Sequence, residues 1–300
     1  MTKRNEPQKA HKRTQEAQTK LFCALCILLC AFCVPSPAFG QAPAREGFAE
    51  LPGVRLWYKD TGGKGVPIVF LHSNTGSGRN WEKYQVPAFT AAGYRVIAYD
   101  RRGWGRSVTQ PGAAPGTAAD DLQGLMKHLG IDRFHLLGTA GGGFVAFDYA
   151  LSFPGQLRSL IVANSIGGMQ DQDYLDLGTR LRPPEFLAMP ADLRELGPAY
   201  RAANPEGAKA WIELEHTSRQ PGAAATFRNR MTFAMLEKLR VPTLLISADA
   251  DMYAPPPLLK LFTARIKHAQ TLVIPESGHS GYWEKPEIFN RAVLNFIRKN

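Results

Sequence analysis

The run Phe134-His135-Leu136-Leu137-Gly138-Thr139-Ala140-Gly141-Gly142-Gly143-Phe144 is the stretch whose residue types and spacing speak most directly to chemistry. A strand-forming half passes into a helix-forming half through a turn flanked by glycines. In that setting a Gly-x-Ser-x-Gly pattern lifts a nucleophile to the apex. Residue 140 occupies the apex, and it is alanine. A methyl group cannot attack a carbonyl, so no acyl-enzyme can form there. Removing the serine from a serine triad costs on the order of 10⁶ in turnover. Roughly 10³–10⁴ over the uncatalysed rate survives from the oxyanion hole and binding.

Around this turn the sequence alternates short apolar runs with helical patterns. The runs at 67–73, 94–100, 133–138, 159–164, 243–247 and 271–275 are near-continuously apolar, as strands buried on both faces are. Helical patterns cover 116–129, 141–152, 257–266 and 286–298. In the last of these Ile288, Ala292, Val293, Phe296 and Ile297 recur at three-to-four spacing. The alternation predicts an α/β fold, a mostly parallel sheet with helices on both faces, and a strand pair around 54–60 forms an antiparallel edge. The rhythm stops over 166–239, where Pro183, Pro184, Pro190, Pro198, Pro205 and Pro221 separate short amphipathic pieces. A segment this long between core strands predicts a helical cap over a pocket. The chain then divides into 1–40, a core of 41–165 and 240–300, and a cap of 166–239.

Residues 50–300 resemble the α/β-hydrolase superfamily at several landmarks met in the same order. His72-Ser73-Asn74 resembles the His-Gly-x loop that supplies one oxyanion-hole N–H, with Ser73 in place of the glycine. The resemblance implies Asn74 as that donor and Gly141, the residue after the apex, as the second. Asp100-Arg101-Arg102-Gly103-Trp104-Gly105-Arg106-Ser107 resembles the Asp-x-Arg-Gly-x-Gly-x-Ser turn, a structural landmark. Val241 to Asp251, leading to Pro255, resembles the strand whose end carries the triad acid. It implies Asp251 first and Asp249 second, with helix capping as the alternative use of Asp251. Ile274 to Glu284 resembles the loop that presents the triad histidine, here His279.

What the resemblance implies is a hydrolase of a small ester or carbonyl-adjacent bond, using a His279–Asp251 dyad, a backbone oxyanion hole, and neither metal nor organic cofactor. Two further readings stay open: a pseudoenzyme that binds a small apolar ligand, and a cofactor-independent lyase or oxygenase built on the same dyad. A nucleophile displaced from Ala140 has three candidates. Thr139 should point away from the histidine, Ser73 sits in the oxyanion loop, and Ser280 is better suited to bracing the histidine loop. His72 is expected to brace its loop, and His128 and His135 to be structural. Trp81, Trp104, Trp283 and Tyr282 lie beside the site loops, and Trp211, Met231, Phe233 and Met235 lie in the cap; each set could wall a pocket or pack a core.

Of the formal charge of +10, a disproportionate share falls at the N-terminus, leaving about +6 for the rest of the chain. Residues 1–20 carry six Lys or Arg against two Glu, a net +4, and no basic block with interleaved aromatics remains, which argues against nucleic-acid binding. Residues 21–34 hold no charge, and Ala38 and Gly40 are small residues placed for cleavage before Gln41, the pattern of a secretory leader. The expectation is a periplasmic or secreted protein that acts on a small molecule without stable membrane association; an uncleaved leader would instead anchor it. Cys23, Cys26, Cys30 and Cys33 all lie in that apolar run, where thiolate ligation of a metal is disfavoured, so they read as leader filler.

Overall fold

The computed structural model describes residues 44–220 and 224–300. The expected leader 1–40, its four cysteines and Pro221 lie outside the described residues. A hairpin comes first: β1 (Arg45–Leu51) and β2 (Val54–Asp60) pair antiparallel, joined at Pro52-Gly53 with Gly53 at φ +73°. Then follow β3 (Pro67–Leu71), a 3₁₀ turn over Gly78–Trp81, α1 (Gln85–Ala91), β4 (Arg95–Tyr99), the two-residue β5 (Val108–Thr109), α2 (Ala118–His128), β6 (Phe134–Thr139), α3 (Gly141–Ser152) and β7 (Leu157–Ala163). Between β7 and the next strand the described residues form five short α-helices: α4 (Gln172–Leu181), α5 (Ala191–Glu195), α6 (Pro198–Ala203), α7 (Pro205–His216) and α8 (Phe233–Leu236). The chain finishes with β8 (Thr243–Ala248), α9 (Pro256–Arg265), β9 (Gln270–Ile274), α10 (Gly281–Glu284) and α11 (Pro286–Ile297).

The sheet runs β1-β2-β4-β3-β6-β7-β8-β9, with β5 added to β2. It is antiparallel across β1, β2 and β4, and parallel from β4 onward. Alternate side chains of one strand therefore enter opposite cores. Val69 and Leu71 join Leu136, Val162 and Leu245 beneath α2, α3 and α9. Ile68 and Phe70 join Leu137, Ile161 and Ile246 beneath α1 and α11. This two-sided burial is why the central strands read as unbroken apolar runs. β9 departs from the expectation: it is an edge strand with a neighbour on one side, and Gln270, Thr271 and Val273 are exposed. Helix α1 was not marked by any pattern recognised in the sequence.

The strand order reverses at β3, between β4 and β6, and loops leaving the carboxyl ends of strands on either side of such a point open a crevice. The segment between β7 and β8 is tied to the core beside that crevice. Asp148, fully buried on α3, accepts from the N–H groups of Arg228 and Asn229 at 2.9 Å each and from Asn229 Nδ2 at 2.8 Å. Another buried pair secures the first hairpin. Arg102 donates to Asp121 of α2 through Nε (3.0 Å) and Nη2 (2.7 Å), and to the carbonyls of Pro52 and Gly53. Replacing Arg102 by Met would leave the Asp121 charge buried without its cation, at a cost of about 3–5 kcal/mol. The expected result is a large fall in the urea midpoint, with most of it recovered in the Arg102→Met, Asp121→Leu double variant.

Candidate active site

Ala140 keeps the backbone of a nucleophile-bearing turn without the nucleophile. Its φ of 49° and ψ of −117° lie where residues with a Cβ are strained, by roughly 1–3 kcal/mol. Local bonds hold it there: the Ala140 N–H donates to Ala163 O at 3.0 Å, while its carbonyl accepts from Gly143 N–H at 3.0 Å and from Ser165 Oγ at 2.7 Å. The glycines are there because backbones meet. A Cβ on Gly138 would fall 2.3 Å from Gly142 O, and one on Gly142 would fall 2.3 Å from Leu71 O. Side chains on either would drive β6, α3 and β3 apart.

The expected acid and base are in contact. His279 Nδ1 lies 2.9 Å from both Asp251 oxygens, and both residues are buried. Asp251 Oδ1 also accepts from the N–H groups of Tyr253 (2.8 Å) and Ala254 (2.9 Å), and Oδ2 from Asn164 Nδ2 (3.1 Å). Burial alone would raise the Asp251 pKa, but the His279 charge and these donors outweigh it and hold the carboxyl below its ordinary range. Asp249, the second candidate, instead meets Ser277 N–H at 3.3 Å. The N-cap of α9 is Pro255, so Asp251 serves the histidine and its own turn rather than capping that helix. His279 Nε2 has no partner among the described residues, and the ring lies 4.4 Å from that of Tyr253.

His279 lines a cavity of about 250 Å³ together with Ala140, Asn74, Gly141, Thr75 and Phe144 from the core, and Ile166, Arg194 and Glu195 from the segment after β7. The backbone N–H groups of Asn74 and Gly141 have no acceptor among the described residues, so both remain available as donors. Gly141 must be glycine, since a Cβ there would sit 2.3 Å from Asn74 Oδ1. His72 braces this loop, as expected. Its Nδ1 lies 2.7 Å from Ser73 O and its Nε2 accepts from Arg101 N–H at 3.0 Å; burial, then the Arg101 charge, push its pKa well down, so it is neutral.

Glu195 is the site residue that sequence reasoning missed. It is 4% exposed, and its Oε2 has no hydrogen-bond partner among the described residues. Burial raises its pKa, with the nearby His279 charge pulling the other way. A backbone splice holds it: Ser280 N–H donates to Glu195 O at 2.9 Å, and Glu284 accepts from Gly197 N–H (2.9 Å) and Gly278 N–H (3.0 Å). The net effect on His279 follows. Burial disfavours the imidazolium, but Asp251 and then Glu195 more than offset this, so its pKa is raised. No signal in the sequence marks Glu195, which sits in a segment without regular periodicity.

Other expectations resolve by burial. Of the aromatic residues near the site loops, Trp104 walls a cavity, whereas Trp81, Trp283 and Tyr282 pack in the core under α11. Trp211 joins that core, and Met231 and Phe233 join the opposite one; Met235 lines none of the cavities described. Among the displaced hydroxyls, Thr139 Oγ1 is buried without a partner among the described residues, Ser73 Oγ pairs with Thr75 Oγ1 at 3.0 Å, and Ser280 is buried in the histidine loop. His135 meets Ser159 Oγ at 2.8 Å, with its pKa lowered to about 4 by burial and by Arg158, and His128 meets Tyr58 OH at 3.5 Å.

Comparison with known proteins gives a consistent result. Residues 68–292 match the Alpha/beta hydrolase family. A protein of Mycobacterium tuberculosis named as a non-heme bromoperoxidase, BpoC, is 29% identical over 81% of this chain and 98% of its own length. A 2-hydroxy-6-oxononadienedioate/2-hydroxy-6-oxononatrienedioate hydrolase of Burkholderia vietnamiensis is 28% identical over 82% of this chain and 92% of its own. The structure of a thermophilic esterase from Thermogutta terrifontis superposes with a TM-score of 0.69 at 28% identity, covering 86% of this chain and 99% of that one.

The electrostatics can be read directly by NMR of the imidazole nitrogens. His279 should titrate above the ordinary 6.5, and Glu195→Gln should move that midpoint down by removing a negative charge. A midpoint unmoved by the substitution would mean that Glu195 is neutral over the range titrated.

Proposed function

The chain belongs to the Alpha/beta hydrolase family, and on that premise we propose that it hydrolyses small esters or related carbonyl compounds by direct activation of water, without a covalent step at residue 140. One observation carries this reading: His279, held by buried Asp251, leaves its Nε2 free in the cavity that also exposes Ala140, Asn74 and Gly141. The room a serine hydroxyl would take beside the Ala140 methyl is room for water. His279 Nε2 accepts a proton from that water as its oxygen bonds to the carbonyl carbon, and the carbonyl oxygen, now negative, receives the N–H groups of Asn74 and Gly141. Collapse of the tetrahedral adduct expels the alkoxide, which takes the proton back from His279. Acid and alcohol leave, and Asp251 stays ionised throughout. The segment 166–239 acts as a cap that contributes Arg194 and Glu195 to the reaction chamber. Relatives named as an esterase and as a hydrolase support hydrolysis as the reaction class.

A ligand-binding protein without turnover is the second reading, and Ala140 itself favours it. The two readings separate on a panel of aryl and alkyl esters. Slow turnover is expected, lowered by at least about 10²-fold in His279→Ala, the lower end of what a general base contributes. Turnover unchanged in that variant would remove the water-activation mechanism. Ala140→Ser places a hydroxyl at the strained apex beside His279 and should raise esterase activity by about 10²-fold or more. Because only neutral imidazole can take the proton, kcat/KM of the wild type should rise with pH and level off above a midpoint higher than 6.5.

A further inference from the structure

The reaction chamber shares Asn74, Gly141 and Phe144 with a second cavity of about 220 Å³, whose walls include Arg101, Trp104, Tyr99 and Phe227. Arg101 holds the variable position of the Asp100-Arg101-Arg102-Gly103 turn, and it is a cation without an anion. It is 7% exposed, its guanidinium lies 4.3 Å from the Trp104 ring centroid, and Arg219 lies 4.4 Å from the same centroid. Nη2 donates to Ser73 O (3.1 Å) and Asn74 Oδ1 (2.8 Å); Nε and Nη1 have no acceptor among the described residues, and Nε is fully buried. Asp121, which also lines this cavity, is engaged by Arg102, and Asp100, next to Arg101 in the chain, by Arg106 Nε and by the N–H groups of Gly78 and Arg106. A buried charge without a counter-ion costs several kcal/mol.

We propose that this second cavity is a carboxylate-binding subsite, in which Arg101 receives an anionic group of the substrate a few bonds from the carbonyl at Asn74 and Gly141. Three features favour an organic anion. The guanidinium is weakly hydrated and stacked on an indole, which suits it to a carboxylate drawn out of water. Apolar walls from Phe144, Tyr99 and Phe227 receive the carbon chain that connects the two groups. Asn74 links the chambers physically, because the side chain that accepts from Arg101 belongs to the residue whose N–H faces the oxyanion. Burial lowers the Arg101 pKa to about 10, which still leaves it charged at neutral pH. The position of the reacting carbonyl rests on the function proposed above; the anion subsite rests on Arg101 alone.

Calorimetric titration with levulinate and with its neutral isostere levulinamide tests the subsite without requiring turnover. The wild type should bind levulinate at least about tenfold more tightly, with the preference shrinking as salt is raised. Arg101→Met should abolish the preference, and His279→Ala should retain it while losing esterase activity, so failure of the subsite and failure of the catalytic reading are distinguishable. Equal affinity of the wild type for the two probes overturns the proposal whether or not Arg101→Met folds, as does a preference that survives Arg101→Met.

Discussion

Close approach of three backbones at one turn is the constraint on which the site depends. β6 must enter α3 while touching the end of β3, and only glycine at 138 and 142 lets the carbonyls of Gly142 and Leu71 come near enough. Residue 140 is left with a positive φ that costs free energy for any side chain. A serine at such an apex would draw function from the strain. Alanine draws none directly, yet the conformation persists, because Ala163, Ser165 and Gly143 bond to the Ala140 backbone and never to its side chain. Ala140 and Gly141 of the turn line the chamber together with Asn74 from the loop after β3, so an alanine at the apex changes the chemistry open to the site while leaving its backbone geometry in place.

The second dependency is the splice between the histidine loop and the segment after β7. Gly278 and Gly197 lie back to back; a Cβ on Gly278 would come within 2.4 Å of Gly197 N, and Glu284 receives both N–H groups. This brings Glu195 to His279 as a buried carboxyl. The imidazole thus lies in a field of acids, with Asp251 bonded to it and Glu195 and Glu284 acting through space. Such a field favours the imidazolium and raises the pH at which the ring becomes neutral, as the proposed proton transfer from water would require.

The crevice holds two chambers. One places Glu195 and Arg194 around His279, and the other presents Arg101 between an indole and the oxyanion loop, beside the Arg102–Asp121 pair. The two meet at Asn74 and Gly141, so in the binding mode proposed above the carboxylate end of a substrate would be drawn toward Arg101. Under the proposed mechanism, in which no covalent intermediate fixes the substrate, such orientation would matter more, since water would have to meet a carbonyl held only by non-covalent contacts.

The parallel sheet and the apex alanine were legible in the sequence because each is written locally, and Asp251 and His279 through the resemblance of their loops to those of the α/β-hydrolase superfamily. Buried strands read as apolar runs, glycines mark the turn where backbones touch, and the acid and histidine loops follow their strands within a few residues. Tertiary structure alone decided the rest. Trp81, Trp211, Trp283 and Tyr282 went to the core rather than the pocket because the side of the sheet a residue faces depends on how distant elements pack. β9 read as a buried strand but is an edge, since strand order is not encoded in composition. Glu195 and Arg101 carry no local mark. One becomes a site residue only when Gly197 meets Gly278, eighty-one residues later in the chain. The other becomes a buried cation without an acidic partner among the described residues only once the fold closes over it. Burial and pairing are properties of the assembled molecule, and for these two residues they are the whole of the functional signal.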